Sequence, residues 1–118
     1  MKTFIRAVES WVPGVDRTLL EFEGGLYGEC RRLAHASRGL CFARGEGLPG
    51  EAWQAGHPIV LKDLTSPNFR RTAAAMADGL SCGIAVPIFA GDVLTSVLVI
   101  FCGDDEAHAG AIELWRND

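Results

Sequence analysis

Thiols are the most reactive side chains in this sequence, which contains four cysteines: Cys30, Cys41, Cys82 and Cys102. None of them forms a Cys-x-x-Cys pair, and no histidine stands at the spacing of a zinc site. A nucleophilic cysteine needs an accessible, electropositive setting, which the strand-like start around Cys82 does not indicate, and the sequence gives Cys82 no evident partner thiol. We expect small buried cysteines in a reducing compartment, and no metal or other cofactor.

Basic side chains form a second candidate cluster, at Arg31, Arg32, His35 and Arg38. The sequence allows a short helix over residues 29–36. One interpretation is a solvated helix face, because most runs of charge are of this kind. The other is a binding site for an anionic ligand.

Composition excludes several classes of protein. The 118 residues, of which 48% are hydrophobic and 22% charged, suit one soluble globular domain. The net charge of −4 argues against nucleic-acid binding, which needs a basic face. No apolar run reaches the roughly 18 residues of a membrane span, and Arg6 and Glu9 interrupt the N-terminus where a signal peptide is apolar. We expect a cytoplasmic protein that does not bind membranes.

The most strongly punctuated stretch runs from Gly45 to Leu64. Its first half holds three glycines, which indicate backbone at positive φ or in close approach to a neighbour. Residues 49–55 begin with proline, which suits a first helical turn, and so predict a short helix that Gly56 ends. Residues 58–62 contain the apolar run Ile59-Val60-Leu61 and predict a strand.

This stretch and the sequence after it resemble the pattern of GAF domains, the small regulatory modules of sensor kinases and transcriptional regulators. Residues 68–71 (Asn-Phe-Arg-Arg), an alanine-rich helix and the strand-like residues 83–88 follow in the family's order. The resemblance covers residues 39–103 well and residues 1–38 loosely. It implies a single α+β domain over residues 1–118, with a GAF-like (profilin- and PAS-like) central antiparallel sheet of five or six strands and short helices packed on it.

The resemblance implies a regulatory module rather than an enzyme. In one hypothesis, a small molecule binds between the sheet and the segments 45–56 and 67–80, and an effector domain or partner protein reads the resulting shift in conformers. The candidate pocket residues are Trp53, Phe69, Arg70, Met76, Cys82 and Phe101. In the alternative, the domain is a structural or dimerisation module whose own side chains fill the pocket, with Trp53, Phe69, Met76 and Leu80 as the candidates.

Specialised branches of the family carry residues that this sequence lacks. The branch that reduces free methionine sulfoxide has a cysteine in the loop where residues 48–50 are Leu-Pro-Gly. Bilin-binding branches commonly attach the chromophore through a Cys-His pair, and cyclic-nucleotide-binding branches carry an Asn-Lys…Phe…Asp-Glu motif, and neither is present. We therefore expect no enzymatic activity, and the alternative is a cysteine-dependent free methionine sulfoxide reductase.

Hydrophobic periodicity predicts the remaining elements. Residues 3–12 and 17–23 predict two strands joined by a Pro-Gly turn, although a helical stripe also fits 3–12. The glycines at 24 and 25 are expected to end the second strand. Residues 93–102 are apolar on both faces and predict a central strand covered on both sides. Residues 68–78 carry apolar side chains at helical spacing, including Phe69 and Met76, and predict a helix that packs on the sheet.

The end of the chain repeats part of its beginning. Residues 7–11 and 111–115 share Ala, Glu and Trp at corresponding positions. We expect residues 107–118 to form a strand that resembles residues 4–12, either folded onto its own sheet or exchanged with a second chain. Because an exposed apolar edge invites pairing, we expect a homodimer.

Overall fold

A computed structural model describes residues 4–103, and the segment 107–118 lies outside the described residues. One antiparallel sheet contains six strands: β1 (Phe4–Pro13), β2 (Leu19–Leu26), β3 (Cys41–Ala43), β4 (Ile59–Leu61), β5 (Leu80–Ala90) and β6 (Val93–Gly103). The helices are α1 (Arg31–Arg38), α2 (Gly47–Ala55) and α3 (Thr72–Ala77). The strand order is β3-β2-β1-β6-β5-β4, which confirms the predicted α+β fold class. No helix in residues 4–103 has the length and apolar character needed to cross a membrane.

Strand β6 lies in the interior of the sheet, between β1 and β5, as its apolar sequence predicted. Along its second half, Val97, Val99 and Phe101 are buried on the face that carries the helices. A Cβ placed on Gly83 of β5 would contact Phe101 and the α2 side chain Leu48, which identifies this face as the one that α2 covers. The alternate side chains of β6, on the other face, are only half-buried, so the predicted cover is complete on one face and partial on the other within residues 4–103.

Strands β1 and β2 pair antiparallel across the Pro-Gly turn, as predicted for the opening of the chain. The predicted end of the second strand at Gly24 and Gly25 is wrong, because β2 continues to Leu26, which pairs with Val8. A Cβ on Gly25 would overlap the ring of Tyr27. This glycine therefore makes room for an aromatic side chain rather than ending the strand.

Helix α2 confirms the helix predicted over residues 49–55, although it begins two residues earlier, at Gly47. Gly56 caps it in the left-handed conformation at φ 74°, and its N–H donates to the Ala52 carbonyl. At the other end, the Gly45 N–H donates to the Gly50 carbonyl at 2.7 Å. A Cβ at Gly50 would overlap the Ala43 carbonyl oxygen, so the loop requires a glycine there.

Helix α3 is shorter than the predicted 68–78, because Asn68 is used in a loop contact. Its Oδ1 accepts from the Gly47 N–H at 3.3 Å, and its Nδ2 donates to the Glu51 carboxylate at 2.8 Å. The side chain thus fastens the residues before α3 to α2. The prediction that Phe69 and Met76 share one apolar helix face is wrong for the same reason, because it assumed one continuous helix. Met76 is 53% exposed rather than packed in the core.

Candidate functional site

A buried ion pair joins the sheet to the segment before α3. Glu9, on β1, and Arg71, immediately before α3, have side chains that are 0% and 1% exposed. The distance from Arg71 Nη1 to Glu9 Oε2 is 2.6 Å. Removing two charges from water is costly unless their remaining hydrogen-bonding groups are also satisfied, so the partners of each group decide what this pair can do.

Both oxygens of the Glu9 carboxylate accept hydrogen bonds. The Trp11 indole N–H donates to Oε1 at 2.9 Å, and the Tyr27 hydroxyl donates to Oε2 at 2.5 Å. Arg71 Nη1 also donates to the Ser37 hydroxyl on α1 at 2.6 Å. These contacts join β1, α1 and the segment before α3 in one buried polar network, which fixes the guanidinium in place.

Four aromatic rings surround the Arg71 guanidinium. Their centroids lie 5.2 to 5.6 Å from its Cζ atom, and they belong to Trp11, Phe42, Phe69 and Phe101. A cation within about 6 Å of a ring centroid is attracted by the ring quadrupole, and more strongly when it is desolvated. We call these four rings the aromatic cage. Together with Glu9, the cage offsets part of the cost of burying the Arg71 charge.

Two donor groups of Arg71 are left over. Nε and Nη2 are buried and have no hydrogen-bond acceptor among the described residues. These two N–H groups lie along one edge of a guanidinium, and that edge binds carboxylates and similar oxyanions through two parallel hydrogen bonds. Chemically, the site therefore combines a satisfied carboxylate with a cation that retains one free bidentate edge.

The environment of Glu9 also acts on Tyr27. Burial, and then the negative charge of Glu9, raise the pKa of the Tyr27 phenol far above its ordinary value of 10.0. The tyrosine is therefore held as a neutral hydrogen-bond donor to the carboxylate. It serves the network as a fixed donor and not as an acid or base near neutral pH.

Sequence reasoning did not identify Glu9 or Arg71 as site residues. A signal for Glu9 was present, because it alternates with Ala7 and Trp11 along β1 and therefore shares their buried face. A charged residue on the buried face of a strand requires a buried partner. The partner itself could not be identified in this way, since Arg71 is 62 positions away.

The residues predicted to line a pocket are distributed over several environments. Phe69 and Phe101 meet in the aromatic cage, with ring centroids 5.9 Å apart. Arg70 lies outside it, where it pairs with the Glu46 carboxylate at 3.1 Å and stacks on Phe42. Trp53 is half-buried on α2.

The other two predicted pocket residues lie outside the cage. Met76 is exposed on α3. Cys82 lies on the opposite face of the sheet, because it alternates with Gly83, whose missing side chain faces α2. A role for these residues in ligand binding remains a prediction from the sequence.

The basic cluster lies on α1, away from the aromatic cage. Arg31, His35 and Arg38 line an open cleft of about 380 Å³ beside Tyr27. Arg32 points elsewhere and lies 3.5 Å from the Asp78 carboxylate. An anion site on this cleft also remains a prediction.

Solved structures of low sequence identity share this architecture. The nlh2 GAF domain of A. aeolicus aligns with a TM-score of 0.63 at 19% identity, over 89% of this chain and 62% of that chain. A GAF domain of a phosphoenolpyruvate-protein phosphotransferase from Coxiella burnetii gives 0.64 at 20% identity, over 82% and 56%. A free methionine-R-sulfoxide reductase from Neisseria meningitidis, in complex with its substrate, gives 0.62 at 18% identity, over 82% and 52%.

These alignments bear on the fold and not on the activity. The chain spans between 52% and 62% of the length of these three structures. No protein-family model and no curated protein sequence matches it. The six-stranded antiparallel sheet with three helices agrees with the structural alignments and with the resemblance seen in the sequence. This chain therefore has the fold of a GAF domain.

Proposed function

We propose that this chain is a non-catalytic regulatory module of the GAF type whose interior is filled by its own side chains. The observation that carries the proposal is the position of the Arg71 guanidinium, which lies in the aromatic cage and pairs with Glu9. The segment 67–80, with Arg71 in it, borders the space in which a ligand was expected from the sequence. Because buried side chains take up this space, the module acts through contacts with an effector domain, a partner protein or a second copy.

A second candidate follows from the two unpartnered donors of Arg71. Nε and Nη2 could receive a small planar oxyanion such as a carboxylate, and the cage rings would exclude water from it. In this second function, the module is a sensor, and the bound anion shifts the population toward the conformers that can bind it. The Glu9 carboxylate opposes this arrangement, because it already neutralises the guanidinium and would repel a second anion.

The loop that starts α2 and the positions of Cys30 and Cys41 support the absence of catalysis. The loop that starts α2 has Leu48-Pro49-Gly50, all buried, and no thiol. Cys41 is exposed on the edge strand β3, and Cys30 is buried beside α1. Neither side chain is among the residues that line the described clefts. The reductase likeness is a likeness of fold, so it gives no reason to assign reductase activity to this chain.

Thermal unfolding in the presence of candidate ligands tests both candidates. We would titrate acetate, nitrate and phosphate against chloride at matched ionic strength, together with free methionine sulfoxide. A filled interior predicts no saturable rise in the midpoint temperature. A bound oxyanion predicts a rise that grows with the logarithm of its concentration, is lost in Arg71→Met and persists in Arg70→Met. Thiol-dependent reduction of free methionine sulfoxide by the wild-type protein would contradict the non-catalytic assignment.

A further inference from the structure

Cys82 and Cys102 face each other across two central strands. Cys82 on β5 and Cys102 on β6 are direct partners in the antiparallel register. Their neighbours Gly83 and Phe101 are also partners and face α2, so both thiols lie on the opposite face of the sheet. No partner thiol for Cys82 was evident from the sequence, and the strand register supplies Cys102. Both cysteines are free and half-buried, so reagents from solution can reach them.

The backbone separation of such a pair suits a disulfide. Residues directly opposite in antiparallel strands have Cα atoms about 4.5 or 5.5 Å apart, and disulfides span Cα separations of about 4.4 to 6.8 Å. The separation expected for directly opposite residues therefore lies within the range that a disulfide spans. Burial, and then the neighbouring Cys82, raise the pKa of the Cys102 thiol, which agrees with close approach of the two side chains.

We propose that Cys82 and Cys102 are a redox-active dithiol that closes to an intramolecular disulfide on reaction with a small-molecule disulfide of the glutathione class. The Cys82 thiolate attacks one sulfur of the reagent, forms a mixed disulfide and expels one small thiolate. The Cys102 thiolate then attacks the Cys82 sulfur and expels the second. Two protein thiols are oxidised by two electrons, and the reagent is reduced to two thiols that take up the two protons.

The order of attack follows from the environment of Cys102. A thiol whose pKa is raised yields less thiolate near neutral pH and is the slower first nucleophile. Once Cys82 carries the mixed disulfide, Cys102 is held opposite it, and the second step is intramolecular. Cys41 lies on the edge strand β3 and is not among the register partners of β5 or β6, so it is the natural control.

Mass spectrometry of the native protein tests this inference independently of the proposed function. Reduced wild-type protein is equilibrated with excess oxidised glutathione, quenched with an alkylating reagent and analysed intact and after proteolysis. We expect the Cys82 and Cys102 peptides to be linked, with the loss of two hydrogen atoms and of two alkylation sites. Cys41→Ser should keep this link, whereas Cys82→Ser and Cys102→Ser should lose it and accumulate a mixed glutathione adduct on the remaining cysteine.

The wild-type protein alone can overturn the inference. Cys82 and Cys102 that both stay open to alkylation would contradict it, as would a glutathione adduct that persists on Cys82 without closing. A link to another cysteine or to a second chain, visible on a non-reducing gel, would also contradict it. These results do not depend on whether the serine variants fold.

Discussion

Arg71 Nη1 lies 2.6 Å from Glu9 Oε2 although the two residues are 62 positions apart, and both side chains are buried. The contact joins the first strand to the segment before α3 through the interior. Both charges have been removed from water. If one residue of the pair were replaced, the other would remain as a buried charge without its partner, or with unsatisfied hydrogen-bonding groups. The stability of the domain should therefore depend on the two residues jointly.

The first prediction concerns removal of the buried cation. Arg71→Met should lower the free energy of unfolding by about 3–5 kcal/mol, because it leaves the Glu9 charge buried and unpaired. The matched control is Arg70→Met, which removes the adjacent arginine from a half-exposed pair with Glu46 and should cost less than about 1 kcal/mol. Urea unfolding measures both. Equal effects of the two variants would contradict the assignment.

The second prediction concerns the coupling between the pair. Glu9→Gln combined with Arg71→Met removes both charges, and the double variant should lose less stability than the sum of the two single variants. The expected coupling free energy is between about 0.5 and 3 kcal/mol, as for residues within one network. A double-mutant cycle in urea measures it. Strict additivity would show that the buried contact does not act as a pair.

The third prediction concerns Tyr27, the only tyrosine of the chain. Its pKa in the folded protein is raised far above 10.0 by burial and by Glu9. A raised folded-state value contributes stability that is fully present below the unfolded pKa of about 10 and declines as the pH rises above it. Absorbance titration of tyrosinate should therefore show ionisation near pH 10 in urea and only at higher pH in the native protein. Native ionisation near pH 10 would contradict the buried hydrogen bond to Glu9.

The fourth prediction concerns the loop before α2. Gly50→Ala should be strongly destabilising, because the new methyl group would overlap the Ala43 carbonyl oxygen, and backbone cannot move aside as a flexible side chain can. Gly24→Ala is the control, since no atom lies within 4 Å of a Cβ at that position. It should be neutral or slightly stabilising, through reduced entropy of the unfolded chain. Thermal unfolding compares the two, and similar midpoints would disprove the close approach.

The fifth prediction concerns assembly. The predicted strand in segment 107–118, apolar over residues 108–116, suggested strand exchange or edge pairing. Homodimerisation remains a prediction because this segment lies outside the described residues. Sedimentation equilibrium of the full chain should give twice the mass of one chain, and deletion of 107–118 should give a soluble monomer. The same monomeric mass for both proteins at all concentrations would refute it.

Local signals were sufficient to predict most of the fold. Apolar residues on both faces predicted β6 as an interior strand. Pro49 and Gly56 predicted α2, which begins two residues before Pro49 and ends at Ala55. The extent of α3 could not be read from periodicity, because Asn68 contacts Gly47 and Glu51 rather than entering the helix. The spacing of apolar residues does not reveal that a polar side chain bonds to another element and so keeps its residue out of a helix.

The candidate site was less accessible to sequence reasoning than the fold. Phe69 and Phe101 were predicted as ligand-pocket residues, and both lie in the aromatic cage. Their role in ligand binding stays a prediction. Arg71 and Glu9 were missed, because the partner of a buried charge is set by tertiary packing. The pairing of Cys82 with Cys102 was missed for a similar reason, since it depends on the register of two strands.

Native mass spectrometry of protein purified from its source tests the central claim, a GAF fold filled by its own side chains, most directly. Spectra would be recorded before and after mild denaturation, so that any molecule held inside the fold is released between the two measurements. We predict that the native mass equals a whole number of chains and that denaturation releases no small molecule. A stoichiometric small molecule that is lost on unfolding, and is absent from Arg71→Met, would contradict the filled interior.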